Sequence, residues 1–185
     1  MSSDLPITTS CPLQWVQAGL VLRAATDSDK PFLERLFVAV RETEPGICEW
    51  PAAMRTSFLA TQFQAQDRHY ATYAHQDFAI VEHDDRPIGR LYLSQTPTQV
   101  HIVDISLLPE ARGRGLGRVL IEGVQSSARD LGKGVSLSVE VNNARAQRLY
   151  QRLGFVVTAT ATPFLRMAWQ PAGVAISLEQ QNAII

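Results

Sequence analysis

The chain has 185 residues, 45% hydrophobic and 19% charged, with 17 basic and 18 acidic side chains and a formal net charge of −1. That balance suits one globular domain with a sizeable core, excludes a disordered chain, and argues against bulk nucleic-acid binding, which needs a basic face. No apolar run approaches the roughly 18 residues of a membrane span, no secretory signal is visible at the N-terminus, and Cys11 and Cys48 suit neither a disulfide framework nor a metal site, so a cytoplasmic protein is expected.

Residues 1–19 contain Ser, Thr and Pro without periodicity and read as a loose leader. Leu20 to Thr26 reads as a first strand. Asp27 or Ser28 can cap a helix whose apolar positions Phe32, Leu33, Leu36, Phe37 and Val40 keep helical spacing. Glu42 to Pro51 breaks it with Pro and Gly, and a second helix is expected from about Ala52, with Met54, Phe58 and Ala65 facing inward. From Asp77 the pattern changes: DFAIVEH and PIGRLYLS flank the turn DDR, and VHIVDISLL (Val100 to Leu108) completes an antiparallel meander. A glycine-rich stretch then opens a helix that runs to about Leu131, where Gly132 ends it. VSLSVEV is a strand, NARAQRLYQRL a helix ended by Gly154, and FVVTAT with PFLRMAWQ a final hairpin. The tail 171–185 has no evident partner within the chain and leaves room for a homodimer.

The order β-α-α-β-β-β-α-β-α-β-β describes an α/β (α+β) fold, a mixed sheet with helices on both faces. VHIVDISLL and VSLSVEV, joined through a helix, form a parallel crossover, and ligands of such sheets favour the carboxyl ends of the parallel strands. The glycine stretch LLPEARGRGLGRVL lies at that end. It is no dinucleotide fingerprint, since Arg118 stands where the third glycine would, and no G-x-x-x-x-G-K-[ST] string occurs. Arg112, Gly115 and Gly117 still make an anion cradle: amides at a helix start are unpaired, the helix dipole adds positive potential, and glycine lets a phosphate approach the backbone. The other reading is a plain glycine-rich turn with solvated arginines.

The second segment, LSVEVNNARAQRLYQRLGF, narrows that choice. Together the two resemble the GNAT superfamily of N-acetyltransferases over roughly residues 20–170. The resemblance rests on Ile105-Ser106-Leu107-Leu108-Pro109, then Arg112, Gly115 and Gly117, then Leu137 and Val139, and then Asn143, Ala146, Leu149, Tyr150, Gly154 and Phe155. It implies a single acetyltransferase domain built on a mostly antiparallel seven-stranded sheet whose central parallel strands splay apart, with acetyl-CoA as cosubstrate in the gap. The backbone of Ile105, Ser106 and Leu107 would pair with the pantetheine arm. Amides of Gly113, Arg114, Gly115, Leu116, Gly117 and Arg118, with Arg112 beside them, would hold the pyrophosphate, which explains why side chains are absent at 113, 115 and 117.

By the same resemblance Asn143 contacts the cofactor, although a helix N-cap is an equally good reading. Tyr150 matches a tyrosine that protonates the leaving thiolate; otherwise it is a core aromatic. The implied reaction is direct acetyl transfer to a primary amine, small molecule or protein N-terminus. The glutamate that ribosomal-protein N-terminal acetyltransferases use has no counterpart, since Ser138 occupies its position. His101 matches the base position of histone-type and arylalkylamine members and could act through water, or be a strand-edge surface residue. Asp104 could orient the amine; simple alternation puts its side chain on the opposite face from His101. Glu42, Glu44 and Glu49 could form an acidic rim and Trp50 the floor of the acceptor pocket. A covalent route through Cys48 is disfavoured, and His69, His75, His83 and His101 make no metal-binding pair. The rival function is a non-catalytic acyl-CoA-binding sensor.

Overall fold

The leader departs from expectation at its C-terminal end. In the computed structural model, which describes residues 12–42, 44, 46–71 and 76–172, Leu13–Gln17 forms a short helix (α1). Its Trp15 is buried in the core and donates from Nε1 to the Leu120 carbonyl at 3.3 Å. A stretch with no periodicity carries no signal for this, because one large aromatic does the docking rather than a repeating face. Residues 1–11, Cys11 among them, and 173–185 lie outside the described residues.

The other elements follow the expected order: β1 (Leu20–Ala24), a turn at Asp27–Asp29, α2 (Lys30–Arg41), α3 (Ala52–Ala71), β2 (Gln76–His83), β3 (Arg86–Gln95), β4 (Gln99–Leu107), α4 (Leu116–Asp130), β5 (Gly134–Glu140), α5 (Ala144–Arg152), β6 (Val156–Ala161) and β7 (Phe164–Trp169). They make one seven-stranded sheet in the order β1-β2-β3-β4-β5-β7-β6. Its pairs are antiparallel except β4 with β5. The acidic turn works as its composition suggests: Asp84 and Asp85 both take positive φ, 52° and 57°, in the two-residue link between the paired His83 and Arg86.

Each face of the sheet buries its own cluster. Under α1, α4 and α5 lie Trp15, Leu91, Leu93, Ile102, Leu120, Val124 and Leu137. Under α2 and α3 lie Phe32, Leu36, Phe37, Leu59, Phe63, Ile80 and Tyr92. The inward residues of α3 are therefore not the expected ones, since Met54 is 60% and Phe58 37% exposed and Ala65 is exposed as well. The helix is turned so that Leu59, Phe63, Gln66 and Tyr70 form one row at i, i+4, i+7 and i+11. Phe58 instead meets the Trp50 ring edge-on, 5.0 Å between centroids, at the mouth of the loop. Among the described residues no helix is long and apolar enough to cross a membrane.

The approach to α2 is held by charge. Asp29 accepts from both terminal nitrogens of Arg23, at 2.8 and 2.7 Å, and from the Thr26 amide at 2.8 Å, completing a capping box. The Arg23 guanidinium, ahead of all other influences, holds the Asp29 carboxyl well below the usual carboxylate range. A carboxylate whose pKa falls on folding contributes stability above its unfolded pKa of about 4 and loses it as the pH drops further. Asp29→Ala is expected to cost about 1–2 kcal/mol at pH 7 in urea denaturation, and the difference from the unmodified chain should shrink below pH 4. A constant difference across that range would mean the cap works without its charge.

Candidate functional site

β4 and β5 begin as partners and then part. Their parallel pairing runs from Gln99 opposite Gly134 to Ile102 opposite Leu137 and stops there, although β4 continues to Leu107 and β5 to Glu140. The cause lies on the other edge of β4. There Leu93 faces Ile102 but Tyr92 faces Asp104, so Val103 is an extra, bulged residue. The bulge bends β4 while β3 keeps pairing with it through Gly89 and Leu107. Beyond Ile102, the edge of β4 that carries Ile105, Ser106 and Leu107 is left without a β5 partner, open to an extended ligand strand.

The bulge also corrects an expectation. Residues opposite one another in an antiparallel pair point to the same side of the sheet. Tyr92 and Ser94 share a side, so their partners Asp104 and His101 do too. The one inserted residue reverses the alternation that would have separated them.

At the end of this gap the chain turns through Pro109–Ala111 into α4. Gly113 and Gly115 have φ of +76° and +82°, and Gly115 is the left-handed N-cap of α4. Those two glycines are required by the backbone itself. Gly117 is different: its φ is ordinary, and a Cβ there would meet nothing nearer than Leu107 Cδ1 at 3.9 Å. Nothing in the packing of the chain demands glycine at 117; the missing side chain leaves space in front of the helix. Among the described residues the amides from Gly113 to Arg118 have no backbone acceptor, and the first amide to find one is Val119, on Gly115. The result is a row of unpaired donors at the positive end of a 15-residue helix. Arg114 is exposed beside it. Arg118 pairs with Glu122 at 2.8 Å, and Arg112 donates from Nε to the Leu107 carbonyl at 2.9 Å, tying the cradle to the end of β4. Leu116 offers its amide while its side chain is buried.

Asn143 is the N-cap of α5, its Oδ1 accepting from the Ala146 amide at 3.1 Å. Tyr150 on the same helix is buried against Phe155, with ring centroids 5.8 Å apart. Its hydroxyl donates to no other described residue, and its pKa is pushed up to about 12, by burial first and then by the Asp104 carboxylate. The phenol therefore stays protonated at every physiological pH. His101 lies within 3.0 Å of Ser136 Oγ through Nδ1, and burial, with the positive charge of Arg166, lowers its pKa. It is a neutral imidazole at pH 7.

Asp104 is the most engaged of the candidate residues. Its Oδ2 accepts from Arg90 Nη2 at 2.5 Å and from the Tyr70 hydroxyl at 3.0 Å, and its Oδ1 accepts from Ser106 Oγ at 2.6 Å. Neither Arg90 nor Tyr70 stands out when the chain is read alone. They lie 14 and 34 positions from Asp104, and only the register of β3 and the rotation of α3 bring them together.

The acidic loop is placed only in part. Glu44 lies 3.9 Å from Arg41; burial first, and Glu140 at the end of β5, raise its pKa against that pairing. Sequence spacing gives no hint that the charge of Glu140 acts on Glu44. Glu49 and Cys48 are exposed, and Trp50 packs on Phe58 of α3. His75 lies outside the described residues, and among those described no three His, Cys, Asp or Glu side chains are grouped to hold a metal ion.

The profile of the acetyltransferase (GNAT) family matches residues 34–155. An L-amino acid N-acyltransferase from Escherichia coli is 44% identical over 62 residues, which is 32% of this chain and 36% of that protein, so the chain spans about a third of that relative. An uncharacterized N-acetyltransferase from Mycobacterium bovis is 32% identical over 144 residues, 74% of this chain and 88% of that protein. Among solved structures, the PaiA N-acetyltransferase from Thermoplasma acidophilum, in complex with coenzyme A, superposes with a TM-score of 0.63 over 82% of this chain and 99% of that one, at 16% identity. That likeness is one of fold.

Proposed function

Since the chain belongs to the GNAT acetyltransferase family, we propose that it transfers the acetyl group of acetyl-CoA directly to a primary amine. The observation that carries this reading is the row of unpaired amides from Gly113 to Arg118 at the end of a strand whose edge is open beyond Ile102. The two features lie in line, as a pyrophosphate followed by an extended amide-containing arm requires. Each hydrogen bond to a charged oxygen is worth about 1.5–3 kcal/mol, so several amides hold the phosphates without a lysine. The backbone of Ile105, Ser106 and Leu107 then takes the arm as an added strand.

The chemistry asks for three things. The ammonium of the acceptor must lose a proton before its nitrogen can attack the thioester carbon. His101, neutral and oriented by Ser136, accepts that proton through water. The carbonyl oxygen that gains charge needs a donor, and an unpaired amide on the free edge of β4 supplies one. The carbon–sulfur bond breaks as the amide forms, and the departing thiolate takes a hydrogen bond from Tyr150. A thiol has a pKa near 8.5, below that of Tyr150, so the phenol stabilises the thiolate mainly by donating a hydrogen bond, with the released proton ending on sulfur or in solvent. Asn143 adds its side chain at the start of α5. Glu44 and Glu140 make the end of the gap attractive to a cation, which is how an amine acceptor, small molecule or protein N-terminus, arrives.

The chain incubated with acetyl-CoA and a panel of primary amines is expected to release free thiol only when an amine is present, with the N-acetylated product seen by mass spectrometry. Coenzyme A binding without amine-dependent thiol release across amino acids, polyamines and peptides would favour the sensor instead.

A further inference from the structure

The most buried ion pair among the described residues stands where β4 leaves β5. Val103 is bulged, and the next residue, Asp104, is met by Arg90 from β3 and Tyr70 from α3. Arg90 is 4% exposed and the Asp104 side chain 14%. The guanidinium lies between two tyrosines, its carbon 5.6 Å from the Tyr70 ring centre and 5.1 Å from that of Tyr92. Gln66, one turn before Tyr70 on α3, accepts from the same Nη2 at 2.8 Å. A helix on one face and the neighbouring strand thus converge on a single carboxylate, one residue past the bulge. Asp104 in turn takes the Ser106 hydroxyl, so the same carboxylate also holds β4 two residues further on, where β5 no longer pairs with it.

Stability alone does not account for this arrangement. Replacing a buried ion pair with apolar side chains of like volume is often neutral or stabilising, because two charges lose their hydration. The pair here also leaves Arg90 Nε buried with no partner, a cost that a merely structural contact need not carry. With three donors already on it, Asp104 has few free lone-pair directions left for an incoming ammonium. What the arrangement does provide is a fixed position for β4 at the point where the gap opens.

We propose that Arg90, with Tyr70 and Gln66, acts as a positioning residue for the cofactor strand, clasping Asp104 so that β4 stands off β5 at the spacing the pantetheine arm needs. The inference rests on the acetyl-CoA reading of the gap.

The decisive variant is the double replacement Arg90→Met with Asp104→Leu, which removes both charges together and so avoids a lone buried ion. It is expected to fold, with a thermal midpoint near that of the unmodified chain, yet to bind coenzyme A at least about tenfold more weakly by calorimetry, since small misplacements of a site are costly. KM for acetyl-CoA should rise while kcat at saturating cofactor changes much less. Tyr70→Phe, which keeps the ring and removes one hydrogen bond to Asp104, carries the same test at smaller scale, about threefold in affinity, and decides the matter if the double variant does not fold. A folded variant with unchanged affinity for coenzyme A overturns the clasp alone. Absence of coenzyme A binding by the unmodified chain overturns the reading of the gap itself, and the clasp with it.

Discussion

Gly117→Glu should abolish useful affinity for coenzyme A, by at least about a hundredfold, while leaving the chain as stable as before or slightly more so. The two halves of that expectation come from different physics. A carboxylate at the second position of α4 lies in the first turn of a helix, where negative charge interacts favourably with the dipole by about 0.3–1 kcal/mol. Gly117 has no positive φ to lose, and a Cβ would touch only Leu107 Cδ1 at 3.9 Å. The same carboxylate would occupy the space before the unpaired amides and repel a pyrophosphate from donors each worth about 1.5–3 kcal/mol. Gly115→Glu is a poorer probe, because its φ of +82° would add backbone strain to any loss of binding. Calorimetry with coenzyme A and a urea melt on the same preparation check both halves. Weaker binding with lower stability would mean the residue matters to the fold, and unchanged binding would remove the pyrophosphate from this loop.

What could be read in the sequence was what local chemistry dictates. The cradle was legible because unpaired amides, glycine backbone and a helix start are adjacent in the chain. The hairpin at Asp84 and Asp85, the stops at Gly132 and Gly154, and the N-cap at Asn143 are local in the same way. What local chemistry does not dictate is set by tertiary packing. The face of α3 is not legible locally, because Met54, Phe58 and Ala65 are as apolar as a buried row should be, while the row that the sheet selects includes Gln66 and Tyr70. Trp15 gives no sequence signal, because a single anchor has no period. The side of Asp104 departs from strict alternation because a bulge is invisible to it: one inserted residue, Val103, changes the parity of everything after it.

A signal for the clasp did exist. PIGRLYLS and VHIVDISLL each hold one charge of opposite sign within an otherwise apolar strand, and strands adjacent in a meander can pair such residues across the ladder. Neither strand by itself says which residues stand opposite. The register does, placing Arg90 against Ser106 and Tyr92 against Asp104, so that Arg90 reaches Asp104 on the diagonal.

Tyr150→Phe is expected to lower kcat on the order of 10- to 100-fold, at or below the low end of what a positioned acid contributes, because Tyr150 lends a hydrogen bond rather than its proton and a thiolate is already a tolerable leaving group. The structure makes the substitution unusually clean. The hydroxyl bonds to no other described residue, so its loss orphans nothing, and the ring remains packed on Phe155 at 5.8 Å. Stability and affinity for coenzyme A should both stay near their original values, which separates a catalytic loss from a packing one. Tyr150 titrates at about 12, held up by burial and by Asp104, so it should add no alkaline limb to the rate profile through pH 9 or so. The acid limb should instead follow His101, whose lowered pKa keeps it a free base into mildly acidic solution. Any alkaline fall abolished by Tyr150→Phe would show a phenol far more acidic than this burial allows. An unchanged kcat would pass the leaving group to water and leave Tyr150 as a wall of the gap.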